Sequence, residues 1–261
     1  MVSVTLMTSV APGMSRLDAK GDEIGEEYQV ACIESWKLAG FQPVSVNSKN
    51  EAFGHALRMI PVDRDATAIT GRPHVFLADL LAVASMEAKG RPFALMNADL
   101  ILRPTADLAA RVAQLRPGEL LFSRRIDIDE SRQTDGVPYR YGYDFFAGHA
   151  DDLSGLSDAG MVFGAPWWDH FFPLLMLMQG CRLYQTEPAV LHLKHTERWS
   201  WPLWEALGQR FVAEMGARAG DNTYGFRLED AVKNAEGEPY QMLHRVSDVN
   251  LSLLNEISLK A

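Results

Sequence analysis

With 261 residues, 47% hydrophobic and 23% charged, the chain has the make-up of a soluble globular protein holding one large core or two small ones. Its net charge of −9 argues against a general nucleic-acid binder and against an anionic-membrane binder, both of which need a basic surface. The two cysteines, Cys32 and Cys181, make neither a disulfide framework nor a zinc spacing, and residues 2–10 are too short and too polar for a signal peptide or membrane span. A reducing, cytoplasmic setting is the expectation.

In chain order, Val2 to Thr8 is a strand by its β-branched content, followed by a long polar loop to Glu27. Gln29 to Ala39 has helical spacing, with Val30, Ile33, Trp36 and Lys37 on one stripe and Gly40 as its stop. Phe41 to Asn47 is a second strand, and Ala52 to Met59 reads as a short helix. Ile60 to Arg72 is weakly patterned, with room for a short strand, and Val75 to Ala88 is a Leu- and Ala-rich helix.

The run from Phe93 to Leu102 is the most informative stretch. It is apolar throughout except for Asn97-Ala98-Asp99 at its centre, and reads as a strand buried on both faces. A carboxylate there is costly unless paired or metal-bound. Either the strand ends near Met96 and Asp99 caps a turn, or Asp99 lies at a carboxyl strand edge, where open α/β sheets bind ligands.

A helix from Pro104 to Leu115 and a strand from Glu119 to Ser123 complete a β-α-β-α-α-β-α-β order, which predicts a parallel sheet with covered faces. The second half is mixed. Tyr139 to Gly148 and Ala159 to Gly164 are short strand-like pieces, and Pro166 to Met178 is a helix. Leu183 to Gln185 and Ala189 to Leu193 are short strands, Trp201 to Ala217 is a helix, and a final helix falls near Ser247 to Ile257. With no repeat or linker, a single domain is expected: about 1–130 as one half, about 131–261 as the other.

The edge Thr8-Ser9, the Asn97-Ala98-Asp99 strand end and Gly164-Ala165-Pro166-Trp167-Trp168-Asp169 together resemble a GT-A-type nucleotide-diphospho-sugar glycosyltransferase, over roughly Val2 to Trp204. The resemblance implies a Rossmann-like, mostly parallel sheet flanked by helices with a mixed α+β second half. It also implies a nucleotide-diphospho-sugar donor, a saccharide or other hydroxyl acceptor, and a divalent cation, Mn or Mg, held by a D-x-D motif. Here the motif reads Asn-Ala-Asp, so Asp99 keeps the metal role while Asn97 is left for a ribose or a metal-bound water. Cleaving a sugar–diphosphate bond builds charge on the leaving phosphate, which a cation stabilises, and an inverting transfer needs a base.

Asp169, near a helix start, is the candidate base, and Trp167 and Trp168 are candidates to stack on sugar faces. The plainer alternative is a carboxylate favouring the helix dipole beside two core tryptophans. His192 and His195 are candidate late metal ligands by the same resemblance. Alternation sends them to opposite faces of a continuous strand, so both reach one ligand only if the strand ends near Leu193; otherwise one acts and the other is structural. Asp144 could bond donor-sugar hydroxyls, and Lys194 and Arg198 could bind the diphosphate or remain solvated. Thr8, Ser9 and Asn47, at the ends of the first two strands, fall near the base and ribose. Arg124-Arg125 with Asp127 and Asp129 is either a surface salt-bridge cluster or a phosphate site.

Bacterial surface-polysaccharide assembly is the setting the resemblance suggests. Two rivals remain. One is a sugar-phosphate nucleotidyltransferase, which would normally carry a Gly-rich basic loop after the first strand, where this chain has Arg16, Lys20 and scattered glycines. The other is a GT-A-like scaffold without catalysis, favoured by Asn97.

Overall fold

The computed structural model describes every residue except 1–3, 19, 53, 104–106, 196–198, 221, 235–237 and 261. The start of the first strand, Pro104 as the opening of a helix and Arg198 as a phosphate donor therefore lie outside the described residues.

The first half runs β1 (Val4–Thr8), α1 (Gly25–Leu38), β2 (Phe41–Ser48), β3 (Arg58–Val62), α2 (Thr67–Thr70), α3 (Leu77–Glu87), β4 (Pro92–Met96), β5 (Leu100–Leu102), α4 (Leu108–Val112) and β6 (Glu119–Ile128). The second half adds β7 (Val137–Pro138), β8 (Phe145–His149), α5 (Trp168–Met178), β9 (Arg182–Leu193), α6 (Trp201–Ala219), α7 (Thr223–Lys233), α8 (Pro239–Ile257) and β10 (Leu259–Lys260). The strands form one sheet in the order β10-β9-β6-β8-β4-β1-β2-β3, with β5 paired to β9 and β7 to β6. Along that path every strand runs the same way except β8, which is antiparallel to both β4 and β6. This is the mostly parallel, helix-flanked α/β sheet that the alternation predicts.

Period-two alternation splits the core into two layers, one on each face of the sheet. Phe93, Leu95, Leu120 and Phe122 point to one side with α3, α5, α6, α7 and α8. Ala94, Met96 and Leu121 point to the other, against Tyr28, Cys32 and Trp36 of α1 and Leu108 and Val112 of α4. The buried stripe of α1 is thus Tyr28, Cys32, Ile33 and Trp36, whereas Val30, expected on it, is exposed. Gly40, at φ +91°, ends that helix as predicted.

Other differences have local causes. Among the described residues of Ala52–Met59 no helix forms, and Arg58–Val62 extends the sheet in parallel register with β2. The long central run is two strands, because Asn97-Ala98-Asp99 turns the chain so that Leu100–Leu102 pairs antiparallel with β9. The two short strands around Pro188 are one, Arg182–Leu193, with a register shift opposite Ser123/Arg125 that accommodates the proline. Ser123 Oγ bridges that shift, donating to the Glu187 carbonyl and accepting from Ala189 N–H. Ala159–Gly164 contributes only an isolated bridge, Phe76 to Val162, and Tyr139–Gly148 becomes strand only from Phe145. The last helix begins earlier than expected, at Pro239, and α7 was not anticipated.

Candidate functional site

Parallel strands bring their carboxyl ends to one edge, and an antiparallel strand brings its amino end there too. Asn97-Ala98-Asp99 leaves β4 at this edge, Asp144 enters β8 at it, and His192 and His195 sit at the end of β9. The pairing register does the rest. Met96 lies opposite Phe145, so Asn97 meets Asp144, its Nδ2 donating to Asp144 Oδ1 at 2.9 Å. Asp127 lies opposite His192 between β6 and β9, and Leu100 lies opposite His192 between β5 and β9. His192 is therefore held between two carboxylates, with Nδ1 3.2 Å from Asp127 Oδ1 and Nε2 3.4 Å from Asp99 Oδ2.

Because β9 ends at Leu193, the alternation is broken and His195 also turns to Asp99, with Nε2 3.7 Å from the same Oδ2. Both histidines reach one carboxylate, where one structural and one active was the other expectation. Tyr28 pins the junction: its hydroxyl donates to the Asp99 main-chain oxygen at 3.1 Å and accepts from Leu193 N–H at 2.9 Å. Arg16, from the long loop after β1, completes the cluster with Nη2 2.6 Å from Asp99 Oδ2.

Ligand atoms of Asp99, His192 and His195 all lie within 4.8 Å of one another, so the three could hold one metal ion. One carboxylate with two imidazoles suits a manganese-like or zinc-like ion better than magnesium, which prefers an all-oxygen shell. Asn97 is turned away to Asp144, and its Oδ1 is buried with no hydrogen-bond partner among the described residues. Burial works against the Asp99 carboxylate, but the two imidazoles beside it, with the charges of His192 and Arg16, hold its pKa well below the usual range.

A cleft of roughly 910 Å³ opens over this edge, of the size small-molecule ligands occupy. Ser9, Arg16, Asn97, Asp99, Arg125, Asp144, Asp169, His192 and His195 line it. Asp169 lies in the first turn of α5 and accepts from Tyr143 N–H at 3.4 Å. Burial first, and then the nearby charge of Asp144, raise its pKa above the usual aspartate value, against the lowering effect of His170. A half-buried carboxylate whose proton affinity is raised in a cleft is suited to proton transfer. Asp144 is anchored by Asn97 and by Arg125, 3.3 Å away, while Arg125 also pairs with Asp127 and stacks on Tyr139.

Several expected residues fall elsewhere. Thr8 and Asn47 are buried and do not line the cleft; of the trio expected near the base and ribose, Ser9 alone does. Asn47 instead donates to the Val10 carbonyl and to Glu51, and accepts from Ser45, knitting β2 to the loop after β1. Lys194 is paired with Asp129 on the exposed side. Trp167 and Trp168 do line the cleft, but at 3% and 2% exposure neither has a ring face free for a sugar. Trp168 packs on Phe146 and Phe163, and Trp167, at φ +76°, packs on Trp204 and Phe211. Available aromatic surface lies instead on α6 and α8, where Trp201, Trp204, Tyr240 and His244 contact one another with centroids 4.3–6.1 Å apart. Trp201 is 58% exposed. The signal for this group was the dense Trp199-Ser200-Trp201-Pro202-Leu203-Trp204 segment.

No family model matches the chain, and no curated protein does. Among solved structures, it is similar to the mannosyltransferase PcManGT from Pyrobaculum calidifontis, solved in complex with GDP-Man and Mn2+, at 12% identity and a TM-score of 0.45, covering 97% of this chain and 73% of that one. It is also similar to the inositol-1-phosphate CTP transferase from T. maritima, at 11% identity and a TM-score of 0.42, covering 80% and 97%. One neighbour is named for moving a sugar and the other for using CTP.

Proposed function

We propose that the protein is a GT-A-type glycosyltransferase that moves a sugar from a nucleotide-diphospho-sugar to an acceptor hydroxyl. The observation that carries the proposal is the convergence of Asp99, His192 and His195 at the carboxyl edge of the sheet, in a cleft that also holds the half-buried carboxylate of Asp169. Asp99, His192 and His195 would hold the cation, which when bound supplies positive charge to the departing diphosphate. Asp144, expected to bond donor-sugar hydroxyls, is 4% exposed with its oxygens taken by Asn97 and Arg125, so it fixes those two side chains at the cleft wall. Asp169 accepts the proton of the acceptor hydroxyl as that oxygen bonds to the anomeric carbon, while the pair of the sugar–phosphate bond leaves with the diphosphate. Trp201 and His244, which line the cleft, offer the acceptor the apolar faces that Trp167 and Trp168 cannot.

The nucleotidyltransferase reading is less well supported, because the loop after β1 bends Arg16 onto Asp99 instead of presenting a row of glycine amides to a triphosphate. The test is thermal unfolding against a panel of nucleotide sugars with and without Mn2+. A donor at about a hundred times its Kd adds roughly 2.7 kcal/mol to the folded state. The expected result is a stabilising donor whose effect needs Mn2+ and disappears in Asp99→Ala; a panel without any shift would contradict the proposal.

A further inference from the structure

The cation site proposed above has an internal occupant. Asp99 Oδ2, the oxygen on which both histidines converge, is already in contact with the Arg16 guanidinium at 2.6 Å. A guanidinium has no lone pair and cannot act as a ligand, so on that oxygen it opposes a metal cation instead of helping to hold it. Arg16 is 4% exposed, and its hydrogen bonding is incomplete: Nη1 reaches only the neighbouring Ser15 carbonyl, and Nε is buried with no partner among the described residues. Its backbone, by contrast, is firmly tied. Arg16 N–H donates to Glu23 Oε1 at 2.7 Å, Ile24 N–H donates to the Arg16 carbonyl at 2.8 Å, and Leu17 bridges to Glu23. The side chain can thus leave Asp99 by rotation about its own bonds while the loop stays in place.

We infer that Arg16 is a resident competitor for the cation site, and that a divalent cation and the anionic diphosphate enter together by exchanging partners with the Arg16–Asp99 pair. The inference rests on the reading of Asp99, His192 and His195 as a cation site. A buried guanidinium stripped of its carboxylate is costly, so a cation alone binds poorly. Phosphate oxygens give the released guanidinium a two-pronged partner in the same cleft, which Arg16 lines. Each ligand then raises the affinity of the other by the same factor. Without nucleotide, the site is competent only in the small fraction of molecules with Arg16 swung away, and apparent cation affinity falls by that fraction.

The experiment is titration of the purified protein with Mn2+ alone, followed by the free-ion electron paramagnetic resonance signal, in wild type, Arg16→Gln and Arg16→Lys, repeated with UDP, GDP and CDP. Arg16→Gln is expected to bind Mn2+ alone at least about tenfold more tightly than wild type, with Arg16→Lys between them. A nucleoside diphosphate should tighten Mn2+ binding in wild type and do so much less in Arg16→Gln. Equal or weaker Mn2+ affinity in a folded Arg16 variant would overturn the competition and leave the cation site standing. Absence of Mn2+ binding in all three proteins would overturn both. Should Arg16→Gln fail to fold, Arg16→Lys carries the comparison alone, and an affinity no higher than wild type decides against the inference.

Discussion

Asp127 Oδ1 and His192 Nδ1 lie 3.2 Å apart, one on each of two neighbouring parallel strands in direct register. The carboxylate orients the ring so that Nε2 faces Asp99, the arrangement by which an outer carboxylate fixes a metal-binding imidazole. Asp127→Asn is expected to weaken Mn2+ binding, measured in the presence of nucleoside diphosphate, by about 10–100-fold while the fold is kept. Unchanged affinity would show that His192 is held without it.

Asp169 carries two expectations. As the base, Asp169→Asn should lower kcat by about 10²–10⁴-fold and leave donor affinity unchanged. The second is a stability signature. Its pKa is raised in the folded protein, so its favourable contribution is fully present below the unfolded value of 3.8 and is lost as pH rises through the folded value. The charged carboxylate is therefore a burden at neutral pH. Asp169→Asn should melt higher than wild type at pH 7, and the gap should close as the pH is lowered toward 3.8; melts over a pH series check this.

Gly142 is the neighbour that gives Asp169 room. A Cβ at position 142 would land on Asp169 Oδ2, and the glycine backbone is not in the left-handed region. Gly142→Ala should therefore fold and yet displace the carboxylate, costing about 10²-fold in kcat, the usual effect of misplacing a reacting group by an ångström. Full activity in this variant would remove Asp169 from the chemistry.

On α6 and α8, Trp201→Ala should raise the acceptor KM about tenfold, roughly 1.4 kcal/mol, with donor Kd unaffected. Since Trp201 is exposed, the melting temperature should barely move. Steady-state kinetics with acceptor varied at saturating donor separates the two effects.

The parts of this site legible in the sequence are those set by local pattern. A polar notch in a long apolar run marked Asn97 and Asp99, and a Gly-Ala-Pro turn before an apolar helix marked Asp169. What was hidden depends on register between distant strands. Nothing local to Asp127 announces that it will face His192, and Arg124 and Arg125 look equivalent until Arg125 turns to Asp144 and Arg124 to Asn255. The Arg16–Asp99 pair spans 83 positions through an irregular loop, beyond the reach of periodicity. Helix α7 escaped for a different reason: apart from Gly225, its buried positions are Tyr224, Leu228 and Ala231, which keep helical spacing but are too few to stand out in a polar segment.

The reaction is read directly from its products. Purified protein with Mn2+ is given either a panel of nucleotide sugars with simple glycoside acceptors, or nucleoside triphosphates with sugar 1-phosphates, and the products are separated by chromatography. A glycosyltransferase releases nucleoside diphosphate from one nucleotide sugar, in a reaction dependent on Mn2+ and lost in Asp99→Ala. Pyrophosphate release from the second mixture, with no nucleoside diphosphate from the first, would contradict it and make the protein a nucleotidyltransferase.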